Sequence, residues 1–446
     1  MTLYSLIRFS SNSKKIIVFL SILCVSSKYT TAQNSRPNII YIMADDLGYA
    51  DLSTYGRKDY TTPNLDKLAS QGIKFINAYA GGPLCTPTRT AFMTGRFPAR
   101  TPVGLYEPLK NTPKDSLMGL RHEQTSMATL LKRAGYETIL IGKWHLGYLP
   151  EYSPQANGFT EFFGFKSGAT DYVAHKSRRH TPDLYENEIP IKKEGYFTDL
   201  LRDRAIQYIS KEHKKPFFLS IQFNAPHWPW QGPADKPYSD TMNWTMHGSP
   251  VIFASMMKSL DNAIGEIVKA VDDANLSANT IIFFTSDNGG EKYSDMGGYT
   301  GLKLQLWEGG IRVPAFIRWP GRIKPGSTTE QVAITMDWTA TILSLAGTKA
   351  DPALPLDGQN LIPVCLGEKS VFDRTLYWRL FQHTKQKAMR DGNWKYLQNE
   401  QGEYLFNLIQ DPGEKNNLKE KFSDEFEKLK KKYEDWEKSV LTPVPL

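Results

Sequence analysis

Four short polar clusters in this 446-residue chain carry side chains able to do chemistry. They are Asp45-Asp46, Lys143-Trp144-His145, Asn224-Ala225-Pro226-His227 and Asp287-Asn288-Gly289-Gly290. Asp45, Asp46, Asp287 and Asn288 offer oxygen donors, the set chosen by a hard divalent cation, calcium or magnesium, rather than zinc. Taken singly, each pair reads equally well as a turn former. Two such pairs, each after its own apolar run, favour a shared metal. Lys143, His145, His227 and, farther on, Lys303 add cationic and imidazole groups. Converging beside a metal, they make a site for a tetrahedral anion. A fifth motif runs Cys85-Thr86-Pro87-Thr88-Arg89 and on to Thr94-Gly95. Pro87 suits the first turn of a helix, which puts Cys85 at a helix N-terminus. Amide dipoles there favour negative charge, so unmodified Cys85 is expected to be a reactive thiolate.

These clusters need a scaffold, and the residues before them supply one. Each follows a continuous apolar run: 38–43, 138–141, 216–223 and 280–285. Such runs suit strands buried on both faces of a mainly parallel sheet. Helical patterns lie between them. One opens at Thr62-Pro63, with Thr62 as N-cap, and stops at Gly72. A second covers 123–134 and ends at Gly135. A third carries Met256, Leu260, Ile264, Ile267 and Val271 at helical spacing. This alternation predicts a doubly wound α/β fold, in which ligands sit beyond the carboxyl ends of the strands. Past residue 345 the pattern shifts to short runs at 375–380, 386–389, 394–397 and 404–408. Arg390-Asp391-Gly392-Asn393 is a hairpin turn between two of them. A Lys/Glu-rich helix over 422–438 closes the chain. The expected layout is a leader over 1–33, a catalytic α/β domain over 34–350, and a subdomain over 351–446 with a small antiparallel sheet and a helix.

The leader is read from Arg8, Lys14 and Lys15, the apolar run 16–25, and a polar stretch ending Thr31-Ala32-Gln33. This is the layout of a secretory signal, with cleavage near Ala32. Its four basic residues and no acids account for more than half of the formal charge, which falls from +7 to +3 without it. So mild a charge argues against nucleic acid or a membrane surface as partner. No later run is long and apolar enough to cross a membrane. Three Cys (Cys24, Cys85, Cys365) exclude a disulfide scaffold and an all-cysteine zinc site.

Cys-x-Pro-x-Arg followed by Thr-Gly resembles the signature of the type I sulfatases, in the alkaline phosphatase superfamily. The resemblance extends over most of the mature chain. It takes in Arg36-Pro37-Asn38 with Asp45-Asp46, Thr62-Pro63-Asn64-Leu65-Asp66, Gly142 to Gly147 and Asp287-Asn288-Gly289. It continues through Trp307-Glu308-Gly309-Gly310-Ile311-Arg312 to Leu405-Phe406-Asn407-Leu408. Thr88 departs from the Ser or Ala usual in the family. The resemblance implies that a maturation enzyme oxidises Cys85 to Cα-formylglycine, whose hydrate attacks the sulfur of a sulfate ester. It further implies that Asp45, Asp46, Asp287, Asn288 and modified Cys85 hold a cation, calcium ahead of magnesium. Arg89 and Lys143 would hold the diol, and His145 would take the proton from its second hydroxyl. His227 and Lys303 would bind sulfate and assist the leaving group.

The substrate reading rests on the rest of the chain. Export and a Trp-rich rim (Trp228, Trp230, Trp307) point to a sulfated carbohydrate. The segment 171–180 is a cationic loop, in which His175, Lys176, Arg178 and Arg179 are candidate contacts to neighbouring sulfate or uronate groups. From the subdomain, Arg379 and His383 are candidates for the same pocket. The competing readings are an arylsulfatase or a phosphomonoester or phosphonate hydrolase on the same scaffold, and a non-enzymatic binder of sulfated glycans. The sparse sequons, Asn243-Trp244-Thr245 and Asn275-Leu276-Ser277, and the lack of a disulfide framework favour a periplasm over secretion to the outside.

Overall fold

The computed structural model describes residues 36–238 and 242–444. The leader expected over 1–33 lies outside them.

The four apolar runs form the centre of a ten-stranded sheet. They are the strands Asn38–Asp45, Glu137–Lys143, Phe217–Pro226 and Thr280–Ser286. The Asn38–Asp45 strand lies between Thr280–Ser286 and Phe217–Pro226, and Glu137–Lys143 follows on the far side of Phe217–Pro226. All three pairings are parallel. Their carboxyl ends therefore share one edge, which places the four polar clusters together. Register brings Met43 and Gly142 opposite Gln222, and Ala44 opposite Ser286. Six shorter strands flank this centre. Ala315–Arg318 runs antiparallel to both its neighbours, so the sheet is mixed but mainly parallel.

Both faces are covered, as continuous apolar strands require. One face packs on the helices Pro63–Ser70, Phe197–Ile209 and Pro250–Asp273 through Leu65, Leu201, Met256, Leu260, Ile264 and Ile267. The other packs on Cys85–Thr94, Met127–Arg133 and Thr335–Leu345 through Phe92, Leu131, Trp338 and Ile342.

Two helix starts differ from expectation. The 123–134 helix begins at Met127, because Ser126 caps it by accepting from Thr129 N–H, and His122–Gln124 forms a separate 3-10 turn. Thr62 precedes its helix without capping it. Its hydroxyl instead donates to the Asp66 carboxylate and accepts from Ser53 N–H.

The short runs near the C-terminus form a four-stranded antiparallel meander: Thr375–Leu380, Gln386–Asp391, Trp394–Asn399 and Gly402–Asn407. Asp391 pairs with Trp394, and Gly392 makes the turn at φ 55°. The charged helix Ser423–Glu437 is not solvated all round, because Phe426, Leu429, Tyr433 and Trp436 are buried. Those side chains join Trp378, Tyr396 and Phe406 in a third core. Leu84, Ala91, Leu306 and Ile311 complete that core from the large sheet's side. The sheet and helix thus pack against the very segments that carry Cys85 and Lys303.

Candidate active site

Cys85 is the first residue of the helix Cys85–Thr94. Its neighbours are fixed by side-chain bonds to other loops. Thr86 Oγ1 accepts from Leu109 N–H, and Thr88 Oγ1 accepts from Gly82 N–H and donates to its carbonyl. The Thr at position 88 is therefore fully satisfied in a buried slot. One helical turn on, the Arg89 guanidinium donates to Asp287 Oδ2 at 2.9 Å and to Gln222 Oε1 at 2.9 Å.

Acids and bases from the strand ends meet beside Cys85. Lys143 Nζ lies 2.6 Å from Asp45 Oδ2, and Lys303 Nζ lies 2.6 Å from Asp46 Oδ2. His227 Nε2 is 3.5 Å from that same Asp46 oxygen. Asn288 Nδ2 donates to Asp46 Oδ1. Ligand atoms of Asp45, Cys85 and Asp287 lie within 4.8 Å of one another, as do those of Asp45, Asp46 and His227. Two oxygens here, Asp45 Oδ1 and Asn288 Oδ1, are buried without a hydrogen-bond partner. Buried acceptors left without a donor are costly. An oxygen-ligated divalent cation satisfies both, so the donor set fits calcium or magnesium.

The electrostatics follow from burial and these pairs. Burial raises the Asp45 carboxyl well above the carboxylate range, and Asp287 adds to the rise against Lys143 and Arg89. Burial acts on Asp46 too, but Lys303 overcomes it and holds that acid well below its usual range. Asp46 in turn keeps Lys303 firmly protonated. Burial and Lys143 hold His145 neutral, and burial and Lys303 do the same for His227. The expected reactive thiolate is corrected. Cys85 is 2% exposed, and its burial pushes the thiol up, more than Lys143 and Lys303 pull it down.

Hydrogen bonds also assign the imidazole tautomers. His145 Nε2 lies 2.8 Å from the Leu109 carbonyl, so that nitrogen carries the proton and donates. Nδ1, buried and without a partner, keeps a free lone pair. His227 donates from Nδ1 to the Trp228 carbonyl.

Above these groups opens a cavity of about 640 Å³. Buried Cys85, His145, His227 and Lys303 line it, as do Trp228 and the exposed Arg178, Arg179 and His383. Three of the substrate candidates, His175, Lys176 and Arg379, do not line it, and this corrects the reading of them as pocket residues. His175 turns inward, with Nε2 donating to the Gly195 carbonyl and its ring against Phe197. Arg379 donates to the Leu441 carbonyl and borders a separate small cavity. Lys176, on the same loop, is half-buried and bridges to Pro182 through its backbone. The Trp rim reduces to Trp228. Trp230 packs on Tyr293, and Trp307 on Tyr404 and Phe406.

Other residues of the site were not singled out in the sequence. Gln222, buried, orients Arg89, and Ser286 Oγ accepts from Leu47 N–H while donating to the Asn288 carbonyl. Both are polar residues inside apolar strands, which is a readable signal of a buried role. Lys110, Tyr148 and Glu291 also line the cavity, and their surroundings in sequence give no such signal.

A family model described as Sulfatase matches residues 37–348, and one described as N-sulphoglucosamine sulphohydrolase, C-terminal, matches 301–439. The chain is 34% identical over 365 residues to the N-acetylgalactosamine-6-sulfatase of Homo sapiens, covering 77% of this chain and 68% of that protein. It is 32% identical over 440 residues to arylsulfatase A of Bos taurus, covering 87% and 84%. Among solved structures, Ps i-CgsB in complex with k-i-k-neocarrahexaose superposes with a TM-score of 0.83 at 30% identity, covering 92% of this chain and 95% of that one.

Proposed function

The chain belongs to the type I sulfatase family and is a sulfuric ester hydrolase, and we propose that it is an exported enzyme that removes sulfate from a carbohydrate. The observation that carries the reading is the cavity that joins buried Cys85, His145, His227 and Lys303 to a mouth with half-buried Trp228 and exposed Arg178, Arg179 and His383. Exposed cationic side chains around such a mouth suit the anionic groups of a sulfated sugar. The relatives point the same way, since one is an N-acetylgalactosamine-6-sulfatase and one solved structure holds a neocarrahexaose.

In this reading Asp45, Asp46, Asp287 and Asn288 hold a divalent cation, calcium before magnesium. That cation neutralises charge on the sulfate oxygens. Formylglycine made from Cys85 by a maturation enzyme supplies the oxygen nucleophile, which a buried, protonated thiol does not. Arg89 and Lys143 fix this corner of the site through Asp287 and Asp45. His145 is built as a proton acceptor: burial keeps it neutral, the Leu109 carbonyl fixes the proton on Nε2, and Nδ1 is free. Lys303, held protonated, offers a fixed positive charge to the anion, with His227 next to it. Residues 1–33 direct the protein to the periplasm, and the catalytic part and its C-terminal subdomain divide near residue 350.

The test is sulfate release from a panel of sulfated oligosaccharides by protein whose Cys85 conversion is verified by peptide mass spectrometry. Release that is lost in Cys85→Ala is expected. No release by fully converted protein overturns the carbohydrate reading. An arylsulfatase reading is favoured instead if only aryl sulfates turn over, and a phosphohydrolase reading if matched phosphate esters react faster.

A further inference from the structure

The floor of the cavity accounts for one sulfate group, but its mouth carries more positive charge than one sulfate uses. Arg178 and Arg179 stand on one side, in the loop that leaves the isolated bridge between Thr170 and Ser177. Lys110 comes from the 108–112 segment, and His383 from the turn between the first two strands of the C-terminal sheet. Lys110 and His383 are close enough that the ammonium lowers the imidazole's affinity for protons, second to burial. All four side chains are exposed.

Three observations separate these cations from ordinary surface charge. First, among the described residues no carboxylate forms a salt bridge with the side chain of Arg178, Arg179 or Lys110, although Asp115 accepts from the Lys110 backbone N–H, whereas other basic residues of the loops nearby, such as Lys166 with Glu188, are paired. Second, the Arg178 guanidinium lies over the Trp228 ring at 5.5 Å. Stacking on an aromatic face restrains an arginine while leaving its N–H edge free for a planar or tetrahedral anion. Third, the loop that carries both arginines is anchored from below. Buried Asp171 accepts from the N–H groups of Val173, Ala174 and Tyr238 and from Gln231 Nε2. The lone acid lining this cavity, Glu291, lies next to Lys303 rather than among these cations.

A cleft lined by one sign of charge focuses its field and selects polyanions. We propose that Arg178, Arg179 and Lys110 form a second anion subsite, which takes a sulfate or carboxylate on the sugar next to the one that loses its sulfate. The substrate is then an oligosaccharide carrying at least two anionic groups on adjacent rings. The inference rests on the carbohydrate reading above. It adds that a singly sulfated sugar is a poor substrate, and it assigns Lys110, from a separate segment, to the same subsite as the two arginines.

The experiment measures kcat/KM of the full-length, Cys85-converted enzyme on three matched oligosaccharides. All carry the scissile sulfate, and the neighbouring ring bears a second sulfate, a carboxylate or neither. A small aryl sulfate is run in parallel. The dianionic substrates are expected to be preferred by about 10-fold or more, mostly through KM, since charge-assisted contacts of this kind are individually worth a few-fold to tenfold. The preference should shrink when salt rises from about 0.05 to about 0.5 M. It should collapse towards unity in Arg178→Ala/Arg179→Ala and fall partly in Lys110→Ala. Arg178→Lys keeps the charge but not the planar fork, and should recover only part of it. Whichever dianionic substrate loses more in the double variant identifies the occupant as sulfate or carboxylate. Equal kcat/KM for all three glycans, or a preference that survives in a double variant with an unchanged unfolding midpoint, overturns the subsite while leaving the carbohydrate reading intact. Turnover of the aryl sulfate alone overturns both.

Discussion

Replacing Lys395 with Met tests how the C-terminal sheet is held against the segment that carries Lys303. Lys395 is fully buried, with Nζ 2.9 Å from Glu308 Oε1 and 2.8 Å from Glu414 Oε1. Glu308 also accepts from Tyr79 and Arg312, and Glu414 accepts from Glu308 N–H. Met matches the length of lysine but leaves two buried carboxylates short of one cation. Breaking a buried pair in this way costs about 3–5 kcal/mol. The two acids lose different things. The Glu308 carboxyl is held down at about 2, through Lys395 and Arg312 against burial, so its contribution is constant across neutral pH. The Glu414 carboxyl is pushed up to about 7 by burial, which Lys395 restrains. A raised acid favours folding below its unfolded pKa and loses that advantage as pH rises through its folded value. Without Lys395, Glu414 keeps its proton to still higher pH, so the penalty relative to wild type opens above pH 7. Each further unit of upward shift is worth about 1.4 kcal/mol. The expected result from urea unfolding followed by Trp fluorescence is a destabilisation of about 2–3 kcal/mol at pH 6 that grows by about 1 kcal/mol or more at pH 8.5. Glu414→Gln in the same background should remove the growth. A loss below about 1 kcal/mol that is the same at both pH values would refute the assignment of this network as a buried clamp.

Four other outcomes follow from the site. In Gly168→Ala the new Cβ would sit 2.7 Å from His145 Cε1 and 2.8 Å from Nε2. Displacing the imidazole from the Leu109 carbonyl should lower kcat about tenfold or more, with little change in the unfolding midpoint. His145→Gln should lower kcat by about 100-fold or more at nearly constant KM, as expected for a lost proton acceptor; steady-state kinetics on one substrate checks both. Chelation should lower the thermal midpoint, because Asp45, Asp46 and Asp287 crowd together in a buried site. Readdition of calcium should restore it more fully than magnesium, as scanning fluorimetry would record. Glu107 is raised to about 7 by burial and accepts from Phe381 and Gln382 N–H at 2.7 and 2.6 Å. Its favourable term is present at acid pH and lost as pH rises through about 7, so Glu107→Gln should flatten the stability profile between about pH 5 and pH 8.

The centre of the fold was readable because its strands are buried on both faces. A run such as Thr280–Thr285 has no polar alternation to confuse the assignment, and the polar cluster after it marks where the strand leaves the sheet. The convergence of the polar clusters was readable for the same reason: Asp45, His145, His227 and Asp287 all sit two to four residues past such a run. What the sequence left open depends on direction. His175 and Arg178 share one loop, yet one turns in to Gly195 and the other out over Trp228. Their order along the chain carries no information on which faces the cavity. Arg379 alternates along an antiparallel strand, and its face is set by the docking of the C-terminal tail at Leu441. The thiolate expected of Cys85 failed because a helix terminus was weighed without the burial that surrounds it. The small edge strands, such as Tyr185–Glu186 and Ile189–Pro190, are too short to leave a period in the sequence.

The most direct measurement is sulfate release from a sulfated oligosaccharide by protein whose Cys85 is shown by mass spectrometry to be formylglycine. Multiple turnovers are expected from the converted protein, and none from Cys85→Ala at equal folding. Equal sulfate release by the two proteins, or none by fully converted enzyme across a broad panel of glycans, would contradict the account.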